Sequence, residues 1–216
     1  MPQADSIAFN LRADRDEARP RPAPAPARPP RSASETMELL VTSDLAALQD
    51  EWRAFERHAD CTAFQCYDWL AAWQRHIGAL TATVPAIVLG RRGDATEFIL
   101  PLAVRQRAGW RELTFLGRDL GDYNAPLLAF DFEKRHTNFK ALWVDIQFLL
   151  QANRRYRHDV VFFDKMPERV GAQANPLLQL PVSRHPSSAY LAHLTDDWDT
   201  FYAARRSSAT RRRDRS

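Results

Sequence analysis

The stretch Leu113-Thr-Phe-Leu-Gly-Arg-Asp-Leu-Gly-Asp-Tyr-Asn-Ala-Pro-Leu-Leu-Ala129 decides how the rest of the chain is read. Leu113, Phe115 and their neighbours form a short β-type apolar run. The run breaks into a loop dense in groups able to bind: Arg118, Asp119, Asp122, Tyr123 and Asn124, framed by Gly117 and Gly121. Glycine is what a chain uses where it must turn with φ above zero. Pro126 then restarts an apolar run, Leu127-Leu128-Ala129-Phe130. A strand that stops, displays polar side chains and starts again is how α/β proteins place a site at strand ends. A solvated turn between two strands has the same composition, so this stretch alone leaves both readings open.

Working outward, three β runs span Val84 to Leu89, Glu97 to Arg105 and Glu112 to Leu116. They are separated by Arg91-Arg-Gly-Asp94 and by Ala108-Gly109, short glycine-containing loops that read as antiparallel hairpins. Upstream, Glu38-Leu-Leu-Val-Thr42 is a short strand, and Ser43 or Asp44 can cap the helix after it. Leu45, Leu48, Trp52 and Phe55 fall on one face of that helix. Ala59-Asp-Cys-Thr62 breaks it, and Phe64 to His76 gives a second helix with Trp69 and Trp73 one turn apart. Tryptophans at i and i+4 are usually core, so both are expected inside rather than stacking on a ligand.

Downstream, Asn138 to Leu150 is a strong helix with Phe139, Leu142, Ile146 and Leu149 on one side. Asp159-Val-Val-Phe-Phe163 reads as a buried strand, followed by a loose segment to Asn175-Pro-Leu-Leu-Gln-Leu180. A strand around Ser188 to Leu194 comes next, and Thr195 is expected to cap a last helix bearing Trp198, Phe201 and Tyr202. The order β-α-α-β-β-β-α-β-α predicts an α/β (α+β) fold. Its mixed, mainly antiparallel sheet is flanked by helices, and the order matches the acetyltransferase type.

Residues 1–36 are of another kind. Seven of the fourteen prolines lie before residue 31, most within Arg19 to Pro30, in low-complexity sequence with almost nothing to bury. We expect a disordered Pro/Arg-rich tail there, one folded domain over 37–204, and a basic end over 205–216. Met37 stands where the tail ends and is a candidate start; native peptides from residues 1–36 would exclude it.

Charge separates along the same boundaries. The total is +3, with +2 on residues 1–34 and +5 on 205–216, leaving −4 for 35–204. A basic pI confined to the ends argues against a folded nucleic-acid-binding face. The Arg-rich end reads as a solvated charge run with weak, salt-dependent affinity for phosphates, so no specific nucleic-acid partner is expected. No apolar run reaches the ~20 residues of a membrane helix. Cys61 and Cys66 make neither a disulfide framework nor a CxxC site, and a reduced, cytoplasmic setting is expected.

Motifs for other chemistries are missing. His58, His76, His136, His158, His185 and His193 form no metal-ligand spacing, so no metal is expected. There is no GxSxG, Walker A or Rossmann pattern. Gln106-Arg-Ala-Gly-Trp-Arg111 is the nearest approach to a coenzyme-A pyrophosphate loop. It ends in Arg and lies in a hairpin, without a helix N-terminus to receive phosphates. No cofactor-binding residues are therefore assigned.

Several pieces in order resemble the CelD-like (cellulose-biosynthesis-associated) acetyltransferases, a branch of the GNAT superfamily related to the FemAB peptidyltransferases. They are Leu48 to Trp52, Phe64-Gln65 with Trp69 and Trp73, Phe98 to Leu102, and Leu113 to Gly117. Further on come Asp122-Tyr123 with Pro126-Leu127, Asp159 to Phe163 with Pro167, Asn175-Pro176, and Trp198 to Tyr202 before Ser207. The resemblance spans roughly residues 37–216. It implies two GNAT-like halves, of which this chain matches the N-terminal, acceptor-side one. Acyl-CoA (acetyl-CoA) is the implied co-substrate, held by a C-terminal half that this chain lacks, as in a truncated gene product. The chain alone is then expected to be inactive.

The expected reaction moves an acyl group to an amine, hydroxyl or saccharide acceptor, in polysaccharide or cell-envelope metabolism. Such chemistry needs two substrates positioned and a proton moved. Asp122 and Tyr123 are the leading candidates for acceptor contact, with Gln65, Arg118, Asp119 and Asn124 behind them. No catalytic residue is assigned. Two other readings stay open: a non-catalytic partner-binding module with basic tethers, and nucleic-acid binding by the tails.

Overall fold

The computed structural model describes residues 37–183, 185 and 197–205. The Pro/Arg-rich segment 1–36, the expected strand at 188–194, the Thr195 cap and the basic stretch beyond residue 205 lie outside them. The chain begins with β1 (Glu38–Thr42), which leads into α1 (Leu45–Glu56). The Asp44 carboxylate caps that helix by accepting the Ala47 N–H at 3.0 Å. A 3-10 turn at Ala63–Gln65 precedes α2 (Tyr67–Trp73), which loosens into a π turn at Gln74–Gly78. The expected single helix from Phe64 to His76 is thus three pieces. A capping box between Thr62 and Gln65 closes the first turn and sets it apart from α2.

The sheet core follows as β2 (Val84–Arg92), β3 (Ala95–Gln106), β4 (Arg111–Phe115) and the two-residue β5 (Leu127–Leu128). Then come α3 (Phe132–Arg135), α4 (Phe139–Ala152) and β6 (Val160–Val161). A small hairpin, β7 (Arg169–Val170) with β8 (Gln173–Ala174), a 3-10 turn at Pro176–Gln179 and α5 (Trp198–Arg205) complete the described elements. Strand order is β1-β2-β3-β4-β6, antiparallel except for the parallel β4–β6 pair. The mainly antiparallel sheet flanked by helices is the architecture expected from the pattern of runs. Among the described residues no helix is long and apolar enough to cross a membrane.

Both faces of the sheet are covered, which is why β2 and β3 read as nearly continuous apolar runs. Alternate residues Ala86, Val88, Phe98, Leu100, Leu102 and Val104 point to one core with Phe132, Phe139, Ile146 and Leu150 of α3 and α4. The intervening Ile87, Leu89, Ile99 and Ala103 point to a second core with Leu45, Leu48, Trp52, Phe55, Tyr67, Leu70 and Trp73 of α1 and α2. Burying each large apolar side chain contributes about 1.5–3 kcal/mol. The fully buried Trp52 also satisfies its indole N–H on the Gln65 carbonyl at 3.1 Å.

Two expectations fail here. Val160, Val161 and Phe162 are 45, 40 and 43% exposed, so Asp159 to Phe163 is a short, half-open edge strand and not a buried one. β6 has only β4 beside it, and its apolar run lacks a covering layer among the described residues. Trp73 is buried as expected, but Trp69 is 39% exposed. The buried stripe of α2 is Tyr67, Leu70 and Trp73, and Trp69 lies at its edge.

Candidate functional site

The two parts of the opening stretch occupy one lane of the sheet. β4 and β5 both pair antiparallel with β3, Phe115 opposite Leu102 and Leu127 opposite Ile99. The Leu116 N–H continues the ladder to the Pro101 carbonyl at 2.9 Å, and then residues 117–126 leave the sheet. Gly117 makes the exit possible. Its φ is +76°, and a Cβ there would stand 2.7 Å from Leu70 Cδ2. Gly121 turns with ordinary φ, so the pairing of two left-handed glycines is half right. The loop emerges at the C-terminal ends of the parallel pair β4 and β6, where α/β sheets place sites.

Most of the loop's polar groups are spent holding it there. Arg118 donates through Nε to both carboxylate oxygens of Asp164 at 3.0 Å and through Nη1 to Glu112 at 3.1 Å. Its guanidinium also lies 4.3 Å over the Phe162 ring. The buried Asn124 donates to the Asp164 carbonyl at 3.1 Å, and its backbone N–H to the Lys165 carbonyl at 2.9 Å. The Lys165 ammonium closes the turn on the Gly121 carbonyl at 2.9 Å. From the other side, the buried Gln65 donates to the Tyr123 carbonyl at 2.6 Å while its own oxygen accepts from Thr62. Asp119 is held by Arg105 at 3.1 Å.

Asp122 and Tyr123 are left. Asp122 is exposed, and no described residue bonds its carboxylate, whereas the carboxylates of Glu112, Asp119 and Asp164 all carry a cation. The Tyr123 ring sits 6.1 Å from Phe64, whose ring is in turn 6.0 Å from the indole of Trp69. Three partly exposed aromatic rings therefore form a ledge beside a free carboxylate. The structure brings Asp122 and Tyr123 to this ledge. Gln65, Arg118 and Asn124 instead anchor the loop, and Asp119 is drawn toward Arg105.

Sequence reasoning missed Glu112, Asp164 and Lys165. Glu112 carried a usable signal. A carboxylate between the strand residues Arg111 and Leu113 that ends up 8% exposed requires a cation, and Arg118 supplies it. Asp164 and Lys165 stand 40 to 46 positions from the loop residues they hold and left no local trace.

Other buried and half-buried titratable groups serve the fold or are held in unreactive forms. The His136 ring and the Arg135 guanidinium hold the buried Glu97 carboxyl down at about 2. Burial pushes the Cys61 thiol up to about 11 and raises Cys66, so both stay protonated and are poor nucleophiles. Burial lowers His158, which is fixed between the Tyr156 carbonyl and Gln147 Oε1 at 3.0 and 2.9 Å. A cavity of about 210 Å³ lies near Glu133, His136, Glu168 and Asn175. Glu133 and Asn175 there already serve the backbone of Ala174, Leu177 and Pro167, which marks it as a packing gap. No group of His, Cys, Asp and Glu suited to a metal occurs among the described residues.

The described residues do not fit the pyrophosphate of coenzyme A. The Gln106 to Arg111 segment is the β3–β4 hairpin, with Gly109 at φ +91° and no helix after it. None of the other glycines stands in a strand-to-helix turn. A scan against protein-family models and searches of curated proteins and of solved structures returned no match for this chain.

Proposed function

We propose that the loop at 117–126 is the acceptor side of a GNAT-type acyl transfer, in which an amine or hydroxyl acceptor takes an acyl group from a coenzyme-A thioester. The observation that carries this reading is the free carboxylate of Asp122 on a loop whose other charges are all paired. In this role Asp122 accepts the N–H or O–H of the acceptor and orients its lone pair, and it can take up the proton released. The Tyr123 hydroxyl is the second polar contact, and the Phe64 and Trp69 rings offer an apolar floor. The anchoring of the loop from two sides supports the reading, because positioning is the main work of such a site. No step is assigned to the coenzyme, whose pyrophosphate the described residues do not fit.

The test is acetyl-CoA turnover with a panel of amines and sugars, on this chain and on one carrying whatever coding sequence follows residue 216. Thiol release that depends on acceptor and falls on Asp122→Asn is the expected result. If the extended protein neither binds acyl-CoA nor transfers from it, the reading fails. Saturable capture of a protein partner, without affinity for coenzyme A, replaces it with the partner-binding module.

A further inference from the structure

The opposite end of β4 carries a second surface. Here the β3–β4 hairpin and the loop between α4 and β6 are tied into one unit by Arg111. Its guanidinium donates to the carbonyls of Arg154 at 2.8 Å and Arg155 at 2.5 Å, and its backbone exchanges bonds with Asp159 at 2.7 and 2.8 Å. The loop is braced by these bonds and alternates: Tyr156 and His158 point inward and are buried, while Arg155 and Arg157 point outward. Arg157 Nε donates to the Gln151 carbonyl at 3.0 Å, again a neutral acceptor. Arg111, Arg154, Arg155 and Arg157 thus face solvent with no carboxylate on their guanidinium groups among the described residues. The acids nearby are Asp159, which takes the Arg111 N–H, and Glu112, shared by Arg107 and Arg118.

In front of this basic group the hairpin tip projects. Ala108, Gly109 and Trp110 are exposed, a Cβ on Gly109 would meet nothing within 4 Å, and the Trp110 indole is 47% exposed without a ring partner among the described residues.

We propose that this end of the protein is a contact surface for an anionic lipid bilayer, with the Trp110 indole in the headgroup layer and Arg154, Arg155 and Arg157 on lipid phosphates. Tryptophan prefers the membrane–water interface because one edge of the ring is apolar and its N–H is polar. Guanidinium groups carried on a braced backbone offer planar, bidentate donors to phosphate oxygens. A planar surface touches only this end, whereas an extended polyanion would run on over residues 35–204, whose net charge is −4. A nucleic acid would also need further rings to continue a stack, and among the described residues Trp110 has none beside it.

The test uses the full chain and vesicles of phosphatidylcholine with or without phosphatidylglycerol. Binding should require the anionic lipid and weaken as salt rises from about 0.1 to 0.5 M. Arg154→Glu/Arg155→Glu should lower binding by about tenfold or more, although the Arg-rich ends of the chain are intact. Quenching of tryptophan fluorescence by brominated lipid should fall on Trp110→Phe. Unchanged melting of each variant shows that folding is not the cause. Where the double charge reversal melts lower, Arg154→Gln/Arg155→Gln carries the same prediction.

Equal binding to pure phosphatidylcholine overturns the proposal. So does wild-type vesicle affinity in the variants, which assigns binding to the ends of the chain, or unchanged quenching in Trp110→Phe. A single-stranded oligonucleotide that displaces the vesicles and loses more affinity than they do in the variants makes the surface a nucleic-acid one and also overturns it.

Discussion

Just past the C-terminal end of β4, Arg118 reaches back to Glu112 and across to Asp164; at the N-terminal end, Arg111 lies on two backbone carbonyls. The first arrangement cancels charge and turns it into loop rigidity. The second uses the same side-chain type as a brace but leaves its charge, and that of its neighbours, facing water. A carbonyl satisfies the geometry of a guanidinium without neutralising it. One end of the strand is therefore a place where a single chosen charge, Asp122, stands out. The other is a field of like charges around an indole.

The sharpest way to break this contrast is to remove the central cation from the paired end. Arg118→Ala leaves the nearly buried Glu112 and the Asp164 carboxylate without their shared partner, and should cost about 2–4 kcal/mol in urea unfolding. If it costs less than about 0.5 kcal/mol, the loop is not held by charge pairing.

A buried pair away from both ends provides the pH control. The Glu97 carboxyl is held at about 2, below its ordinary 4.5, by His136 and Arg135. Its stabilising contribution is therefore complete above about pH 4.5 and fades as pH falls from there towards 2. Acid titration of the melting temperature should show a steep limb in that window, flattened in Glu97→Gln. A limb that survives the substitution places the acid sensitivity in other carboxylates.

Gly117→Ala tests the exit from the sheet. A left-handed residue pressed onto Leu70 should cost about 1–3 kcal/mol and disturb the ledge; an unchanged melting temperature means the loop can leave the sheet another way. Arg154→Ala and Asp122→Asn should each change stability by no more than about 0.5 kcal/mol, since neither side chain is used by the fold. A larger loss in Asp122→Asn would make it another loop anchor and remove the carboxylate from the acceptor reading.

The fold was readable wherever its cause was local. The Leu45, Leu48, Trp52 and Phe55 stripe, the Asp44 cap and the hairpin turns at Gly93 and Gly109 rest on contacts a few residues apart. Trp69 escaped because the packed face of α2 is set by the core it meets, which takes Tyr67, Leu70 and Trp73 and leaves Trp69 at the edge. Val160 to Phe162 escaped because an apolar run does not say whether a neighbour covers it. In the loop, residue type correctly marked a cluster of polar groups but did not say which were already taken.

By itself, then, the sequence determined the succession of strands and helices, the break after Leu116 and the polar character of residues 117–126. Periodicity and turn chemistry are properties of neighbours. Only the tertiary structure decided that Gln65, Arg118 and Asn124 are anchors and that Asp122 has no partner among the described residues, because those partners stand far apart in the chain. Gln65 meets Tyr123 across 58 positions, and Arg118 meets Asp164 across 46. Pairing over such distances is set by the sheet that brings β4, β6 and their loops side by side, and a charge is available for chemistry only where that pairing has left it without a partner.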